Sequence, residues 1–551
     1  MPLVALGQSA SAPAVSNGHE CLVALGQSPT LVRNFNPFAT PPLDFTWGGI
    51  YEPLVVVTTA GHGHQYNWLA SRLRWRKDHK TLLITVRTGV RWSDGRPLTN
   101  RDVLYTLTAG RQSKVMDQIG LTRADTNVAS VESVGSHQVA IHLKAPDSTF
   151  IGTVLANNFR VVPQHVFSRI RDVSSWTNPN PVGTGPFTAV RQFSGADYVL
   201  RKNPHYWRVG APHFSCIRRT SASSNEAAVL QLLSGDVDVS NLFVPNAQKT
   251  YVSRDPKHFH FFYPADSVPV GLFFDDTKYP FSLPPLRRAM SMGLDRASLS
   301  REAEYGYAPP VDALGINRIW PSWIDRGVAA EDRRLASYDP AAARRALLAA
   351  GFSFRGEQLF DPRGDAVLLR AKVIAGWVDW VTAWRIIARN LDDIGIKTDV
   401  AVVPAWGDWW PDASSTSFAT LLWSYGEGPT PFGYFQSHLD RAAFVPSGRD
   451  ASITGNWEHF QSTRATALLR TFKRTFDPSR QHRLVAKLER LWLDGLPFIP
   501  LFAGPTWSTY STRYFTGFPG PRDFYIRPGF LSSDYVVALT RIRPANRTNV
   551  R

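Results

Sequence analysis

The pattern of apolar and polar residues switches repeatedly between a period of two and a period near 3.6. Alternation of period two, typical of half-buried strands, runs through 71–86 and 128–145, and a turn sequence inside each stretch predicts two hairpins. Apolar residues at helical spacing, several with capping residues at their ends, predict helices over 100–115, 222–238, 340–350, 380–394 and 478–493. This alternation indicates an α/β chain, and the clustered hairpins predict an inserted, mostly antiparallel subdomain.

Length and composition indicate a globular chain with more than one lobe. Its 551 residues exceed what a single core usually serves, so we expect lobes of ~150–250 residues. No apolar run reaches the length of about 18 residues that a membrane span needs. No signal peptide is visible, so we expect that an export leader is not present in this chain.

The net charge of +16 is spread over the whole chain. No run of five consecutive like charges and no nucleic-acid-binding motif occurs, so we expect no nucleic-acid partner. An anionic envelope polymer or anionic lipid heads remain partners that such a charge would attract.

The cysteines and histidines give no metal site. Cys21 and Cys216 cannot form a zinc site by themselves. Both open short apolar stretches, and the sequence allows either one disulfide in an oxidising compartment or two unpaired buried thiols. His62 and His64 lack an evident third ligand. No phosphate loop, nucleophile elbow or zinc-protease motif is present, so we expect no cofactor, no metal and no catalytic residue.

Several sequence words occur in a fixed order: TLLITVRTGVRWSDGRPLTNRDV at 81–103, GTGP at 183–186, RKNPHYW at 201–207 and YDPAAARRALLAAGF at 338–352. Together they resemble the extracellular solute-binding proteins of ABC importers, in the peptide- and nickel-binding family five, from about residue 30 to 530. The resemblance implies a two-lobed fold of the periplasmic-binding-protein type (type II), whose lobes close over a solute. It also implies an extracytoplasmic location, delivery of the solute to a membrane permease, and no catalysis. We expect a monomer.

The resemblance also suggests how the chain divides. A Ser/Ala/Pro/Gly-rich start, which contains one of two copies of LVALGQS, predicts a flexible tail. The expected units are the tail at 1–20, the first lobe at 21–275 with the inserted subdomain at about 58–180, the second lobe at 276–489, and a return to the first lobe at 490–551.

Aromatic residues dominate the expected ligand contacts. Trp and Tyr offer flat apolar faces with one polar group, which suit sugar rings and peptide side chains alike. The segment AGWVDW at 375–380 follows a predicted strand and precedes a helix, where a binding loop belongs. Trp384 and Trp492, at helical spacing, are predicted to be core residues. The predicted contacts are Trp377, Trp380, Trp423, Tyr425, Asn34, Asn36, Asp379 and Glu427.

The nature of the solute stays open between an oligopeptide and an oligosaccharide. Peptide-binding members of the resembled family carry an Asp for the ligand ammonium group, and here that position falls on Gly426, with Glu427 beside it. The segments NFNPF and GPTPFGYF resemble the oligosaccharide-binding members. Two other functions remain as alternatives: a hydrolase on the same fold, and a scaffold that holds envelope polymers through its positive charge.

Overall fold

The structure is a computed structural model that describes residues 20–545 except 29, 40–41, 59–63, 125, 157–158, 416–419, 427 and 453. The tail predicted at 1–20, apart from Glu20, lies outside the described residues, as does His62. The second copy of LVALGQS forms the first strand.

The strands are β1 (Cys21–Gln27), β2 (Val55–Thr58), β3 (His64–Asn67), β4 (Ala70–Trp75), β5 (Thr81–Val86), β6 (Val128–Val134), β7 (Gln138–Leu143), β8 (Phe187–Phe193), β9 (Asp197–Lys202), β10 (Cys216–Ala222), β11 (Val239–Ser240), β12 (Phe259–Phe261), β13 (Ser267–Phe274), β14 (Ser353–Arg355), β15 (Gln358–Phe360), β16 (Leu368–Ile374), β17 (Lys397–Val403), β18 (Thr420–Trp423), β19 (Phe498–Gly504), β20 (Thr509–Ser511), β21 (Phe515–Thr516) and β22 (Arg543–Pro544).

The helices are α1 (Asn100–Thr108), α2 (Gln164–Phe167), α3 (Asn225–Ser234), α4 (Ala247–Thr250), α5 (Pro284–Met292), α6 (Arg296–Ser298), α7 (Ala329–Ala336), α8 (Pro340–Ala349), α9 (Val378–Asp392), α10 (Trp406–Ser415), α11 (Phe432–Leu439), α12 (Thr463–Lys473), α13 (Pro478–Gly495) and α14 (Val536–Arg541).

The first lobe is built on a sheet with the strand order β12-β20-β11-β1-β10-β9-β8. Its central strands β1 and β10 are parallel, with Cys21 directly opposite Cys216. Their sulfurs form a disulfide across a Cα–Cα distance of 4.4 Å. Of the two alternatives that the sequence allows, the structure therefore contains the disulfide.

The inserted subdomain is a separate antiparallel sheet with the order β4-β5-β7-β6. The two predicted hairpins form its two halves. Helix α1 lies between the two hairpins in the chain, and its capping box joins Thr99 and Asp102: the Thr99 N–H donates to the Asp102 carboxylate over 2.9 Å. The antiparallel subdomain that the alternation predicted is confirmed.

The second lobe has its own sheet, with the order β17-β16-β18-β13-β19. The chain passes between the two sheets twice, at 262–266 and at 505–508. These crossing segments run side by side, since the Phe262 N–H donates to the Ser508 oxygen over 2.8 Å and the Thr506 N–H to the Pro264 oxygen over 3.0 Å. The fold is therefore a two-lobed α/β structure joined by a paired crossing, as the resemblance implies.

The crossing points differ from the boundaries expected at 275/276 and 489/490. Strand β13 pairs with β18 and β19, so the chain enters the second lobe before Ser267 and leaves it after Gly504. The difference has a physical reason: the apolar runs of β13 and β19 are almost fully buried and would suit the centre of either sheet. Which of the two sheets such a strand joins depends on its pairing partner, and that partner is distant in sequence.

Four of the five predicted helices begin and end within four residues of their expected positions, whereas the helix predicted at 100–115 ends at Thr108 and gives way to short 3₁₀ turns at 109–111 and 114–116. Ser224 caps α3 with its side chain and Gly235 ends it in the left-handed region with φ +82. Gly351 and Gly395, with positive φ, follow α8 and α9 in the same way. Within the described residues, no helix is long and apolar enough to cross a bilayer.

Candidate functional site

A cavity of about 760 Å³ lies between the two lobes. Most lining residues come from 119–156, from the segment 424–443 after β18 and from the C-terminal return at 527–534. The others are Val57, Thr58, Val268, Thr454 and Lys473. Both lobes therefore contribute to the walls, as a site that opens and closes with the hinge requires.

The lobes touch on one side of this cavity through the inserted subdomain. The Ser148 N–H donates to the Lys473 oxygen over 2.7 Å, and the Gln481 amide donates to the Ser148 hydroxyl over 3.1 Å. The Phe476 ring packs against Trp75 and His79, with ring centroids 6.2 Å and 4.1 Å apart. These contacts join parts of the chain more than 300 residues apart and link the two lobes.

A second interlobe contact joins α3 to the start of α9. The Asn225 N–H donates to the Gly376 oxygen over 3.4 Å, and its side-chain amide donates to the Asp379 carboxylate over 3.3 Å. Asp379 is buried, and burial raises its pKa to about 6. The structure thus places Asp379, predicted as a ligand contact, in a contact between the lobes.

Six tryptophans form a cluster where the parallel strands β16 and β18 end. The carboxyl ends of such strands are where open α/β sheets usually bind ligands. Contacting ring centroids lie 4.8 to 6.4 Å apart. Trp409 is buried and the other five are half-buried. The cluster comprises Trp377, Trp380, Trp406, Trp409, Trp410 and Trp423.

Tyr425 connects this tryptophan cluster to the cavity. Tyr425 lines the cavity, and its ring lies 5.2 Å from that of Trp457, which in turn lies 6.2 Å from Trp423. Of the predicted aromatic contacts, only Tyr425 is in the cavity wall, while Trp377, Trp380 and Trp423 form the adjoining cluster. Trp384 and Trp492 are buried, as their helical spacing predicted.

The two predicted asparagines lie in a first-lobe loop. The Asn36 amide donates to the Val173 and Trp176 oxygens over 2.7 and 2.9 Å, and its oxygen accepts from the Phe38 N–H. The Asn34 side-chain oxygen accepts from the Asn36 N–H over 3.0 Å. Both side chains are thus engaged in holding the loop. Glu427 lies outside the described residues.

Gly426 lies in the cavity wall with φ +100, a conformation that L side chains rarely adopt. A Cβ atom there would lie 2.8 Å from the Tyr434 Cα atom. A side chain there would be strained and would require the chain to move, so this backbone disfavours a carboxylate for a ligand ammonium group at position 426.

The cavity also contains charged residues that sequence reasoning missed. Arg123 and Lys473 line it without a carboxylate within ion-pair distance in the described part of the chain. Asp147 bonds the Thr149 hydroxyl, and Asp440 bonds the Thr466 hydroxyl. They come from turns and helix ends with no shared motif; the only sequence signal nearby is the Gly/Pro-rich stretch that contains Gly426.

Two α/β lobes, a paired crossing and a cavity between the lobes define the architecture of a two-lobed solute-binding protein. The family model of the bacterial extracellular solute-binding proteins, family 5, matches residues 64–443. The chain belongs to this family, whose members are ligand-binding components of transporters.

Curated relatives and solved structures agree with this assignment. Glutathione-binding protein GsiB of Salmonella choleraesuis is 27% identical over 290 residues, 52% of this chain and 53% of the relative, so this match spans about half the relative's length. The same-named protein of Salmonella paratyphi A is 25% identical over 82% of this chain and 83% of its own. A mannohexaose-bound periplasmic oligopeptide-binding protein of Thermotoga maritima superposes with a TM-score of 0.85 at 24% identity, covering 96% of this chain and 99% of that structure.

Proposed function

We propose that this chain is the extracytoplasmic solute-binding component of an ABC importer, which captures a small oligosaccharide between its lobes and delivers it to a membrane permease. The cavity between the lobes carries the proposal, because a space of about 760 Å³ suits a solute of several linked units. The Cys21–Cys216 disulfide supports a location outside the cytoplasm.

Three observations favour an oligosaccharide. Gly426 leaves no room for the carboxylate that peptide-binding members of the family use. Half-buried tryptophans adjoin the cavity through Tyr425, and their flat faces suit sugar rings. A relative in fold carries mannohexaose.

An oligopeptide is the second candidate. Arg123 and Lys473 line the cavity with no ion-pair partner in the described residues, and either would attract a peptide carboxylate. Several relatives are named as peptide-binding proteins.

Thermal unfolding in the presence of separate oligosaccharide and peptide pools tests the proposal. A solute that binds only the folded state stabilises it by about 4.1 kcal/mol at about 1,000 times its dissociation constant. We expect stabilisation by gluco- or manno-oligosaccharides and none by di- to hexapeptides. Stabilisation by peptides alone would favour the second candidate, and release of shortened products would favour the hydrolase.

The role of the tryptophan cluster is tested by Trp423→Leu. We expect affinity for the best oligosaccharide to fall by about 1 kcal/mol or more, because stacking on the ring or on its neighbours is lost. Calorimetric titration measures this loss, with Trp176→Leu, a half-buried tryptophan of the first lobe, as the control. Equal affinities in both variants would remove the cluster from the binding site.

A further inference from the structure

A basic groove lies on the second lobe, apart from the cleft. It encloses about 900 Å³ and is lined by residues 322–326, by Arg464 and Leu468 of α12, and by residues of α13 from 482 to 494. None of these residues lines the cavity between the lobes. The groove is therefore a separate feature of the surface.

Among the described residues, five cationic side chains and two carboxylates line this groove. The Asp325 carboxylate lies 3.8 Å from Arg490, and Asp494 is the second acid. For the other four cations, no carboxylate of the described residues lies within ion-pair distance. The five are Arg326, Arg464, Arg483, Lys487 and Arg490.

The helical hairpin α12–α13 brings these charges together. Arg483, Lys487 and Arg490 are spaced at i, i+4 and i+7, so they lie along one face of α13. The start of α12, with Arg464, lies near the end of α13 because the short connection at 474–477 makes the helices antiparallel. On the wall, the Trp323 ring stacks on His482 with centroids 3.9 Å apart and planes 3° apart.

The charge and the shape of the groove indicate what it binds. Like charges held together repel each other, and the two acids leave a net excess of three positive charges. The space is larger than one phosphate ion needs, so several anionic groups fit at once. A flat membrane would touch only the rim of a concave surface, whereas a linear polymer can run inside it. We propose that this groove binds a linear, phosphate-bearing polyanion.

Long-range attraction supports the same partner. The net charge of +16 draws any polyanion to the protein, and the groove then provides a defined site. Binding of this kind releases counterions, so the logarithm of the association constant falls linearly with the logarithm of the salt concentration. For single-stranded nucleic acid the slope is about 0.7 per neutralised phosphate, and we take the same slope for a single-chain polyphosphate.

The experiment compares two triple variants with equal net charge. Arg464→Gln/Arg483→Gln/Lys487→Gln removes the groove charges, and Arg101→Gln/Arg254→Gln/Arg345→Gln removes three exposed cations elsewhere. Fluorescence anisotropy of labelled short-chain inorganic polyphosphate measures binding between about 50 and about 200 mM salt. We expect the groove variant to bind at least tenfold more weakly at low salt. The slope of its log association constant against log salt should be smaller by about 2, while the control variant should keep the affinity and the slope of the wild type.

Every other result of this experiment would overturn the proposal. Equal losses in both variants would mean attraction by net charge alone. Wild-type binding to vesicles of phosphatidylcholine with phosphatidylglycerol, lost in the groove variant and without polyphosphate binding, would mean a membrane surface instead. The melting temperature of each variant is measured as a folding control. If both variants melt at the wild-type temperature, a loss of binding is due to the missing charges and not to unfolding. The cleft solute plays no part, so a failure here leaves the proposed transport function untouched.

Discussion

At the scale of single residues, Gly426 shows how the backbone restricts what the cleft can hold. Its φ of +100 and the Tyr434 backbone beside it leave no room for a side chain. The sequence revealed only that an expected Asp is missing there. The structure adds that this Asp cannot be restored without moving the chain.

Gly426→Ala should therefore destabilise the protein by about 1 to 3 kcal/mol. The alanine would have a strained backbone at φ +100, and its Cβ atom would lie too close to the Tyr434 Cα atom. Gly448→Ala is the matched control, since Gly448 has φ +79 but no heavy atom within 4 Å of its Cβ position. Urea unfolding measures both variants. Equal losses would mean that conformational strain alone acts at position 426.

Glu304 is a second residue with a consequence for stability. It is buried, neither carboxylate oxygen has a hydrogen-bond partner in the described residues, and burial together with the nearby Asp379 raises its pKa well above the ordinary value. The folded state therefore keeps a proton that the unfolded chain releases. This stabilisation is present at low pH and is lost as the pH rises.

Glu304→Gln should remove this loss. We expect the variant to gain free energy of unfolding over the wild type as the pH rises from about 5 to about 8, by up to about 1.4 kcal/mol per pH unit. Urea unfolding at both ends of that range measures the gain, with the exposed Glu302→Gln as the control. A difference that does not change with pH would contradict the assignment.

Residue roles were predictable only where local spacing determines them. Trp384 and Trp492 follow the helix period, and both are buried. The partners of Asn36 and Asp379 lie about 140 and 154 residues away, so no local pattern could identify their contacts. Two of the four polar residues predicted to contact the solute are thus already hydrogen-bonded to distant parts of the protein.

At the scale of elements, hairpins and capped helices were predictable because their signals lie within the element. Alternation and turn residues determine β4 to β7, and capping residues determine α3 and α8. The sheet to which β13 and β19 belong was not predictable, since buried strands carry no signal for their partner. The lobe boundaries shifted for this reason.

One buried arginine joins two elements of the second lobe. Arg287 of α5 donates to the carbonyl oxygens of Gly495 and Leu496 at the end of α13, over 2.6 and 2.9 Å. It also pairs with the buried Asp276 over 3.3 Å. The guanidinium thus caps one helix and neutralises a carboxylate in the interior.

Arg287→Met should cost about 3 to 5 kcal/mol, because it leaves Asp276 buried without its partner. Denaturant unfolding monitored by circular dichroism measures the loss, and the exposed Arg345→Met provides the control. A double variant with Asp276→Asn should recover part of the loss. No recovery would attribute the cost to the helix end alone.

At the scale of the whole molecule, the two lobes contact each other at several places, some of which border the cavity. Gly152 of the inserted subdomain lies against Pro429 of the second lobe, where a Cβ atom would be 2.8 Å from the proline ring. Sequence resemblance predicted the two-lobed architecture, and the family match supports it. The contacts between the lobes join residues far apart in the sequence and had no sequence signal.

Gly152→Leu should hold the lobes apart without disturbing either core, since its side chain would occupy the gap to Pro429. The control is Gly195→Leu, where the nearest atom to the added Cβ is Thr30 Cγ2 at 3.4 Å. Both variants should keep the wild-type unfolding transition. A cooperative loss of structure in Gly152→Leu would show that the site belongs to a core instead.

The most direct test of enclosure between the lobes is a calorimetric titration of the strongest stabilising solute into the wild type and Gly152→Leu. Enclosure of the solute between the lobes predicts one-to-one binding to the wild type and at least a tenfold loss of affinity in the variant, equivalent to about 1.4 kcal/mol. Equal affinities in the two proteins would contradict it, because the solute would then bind without closure.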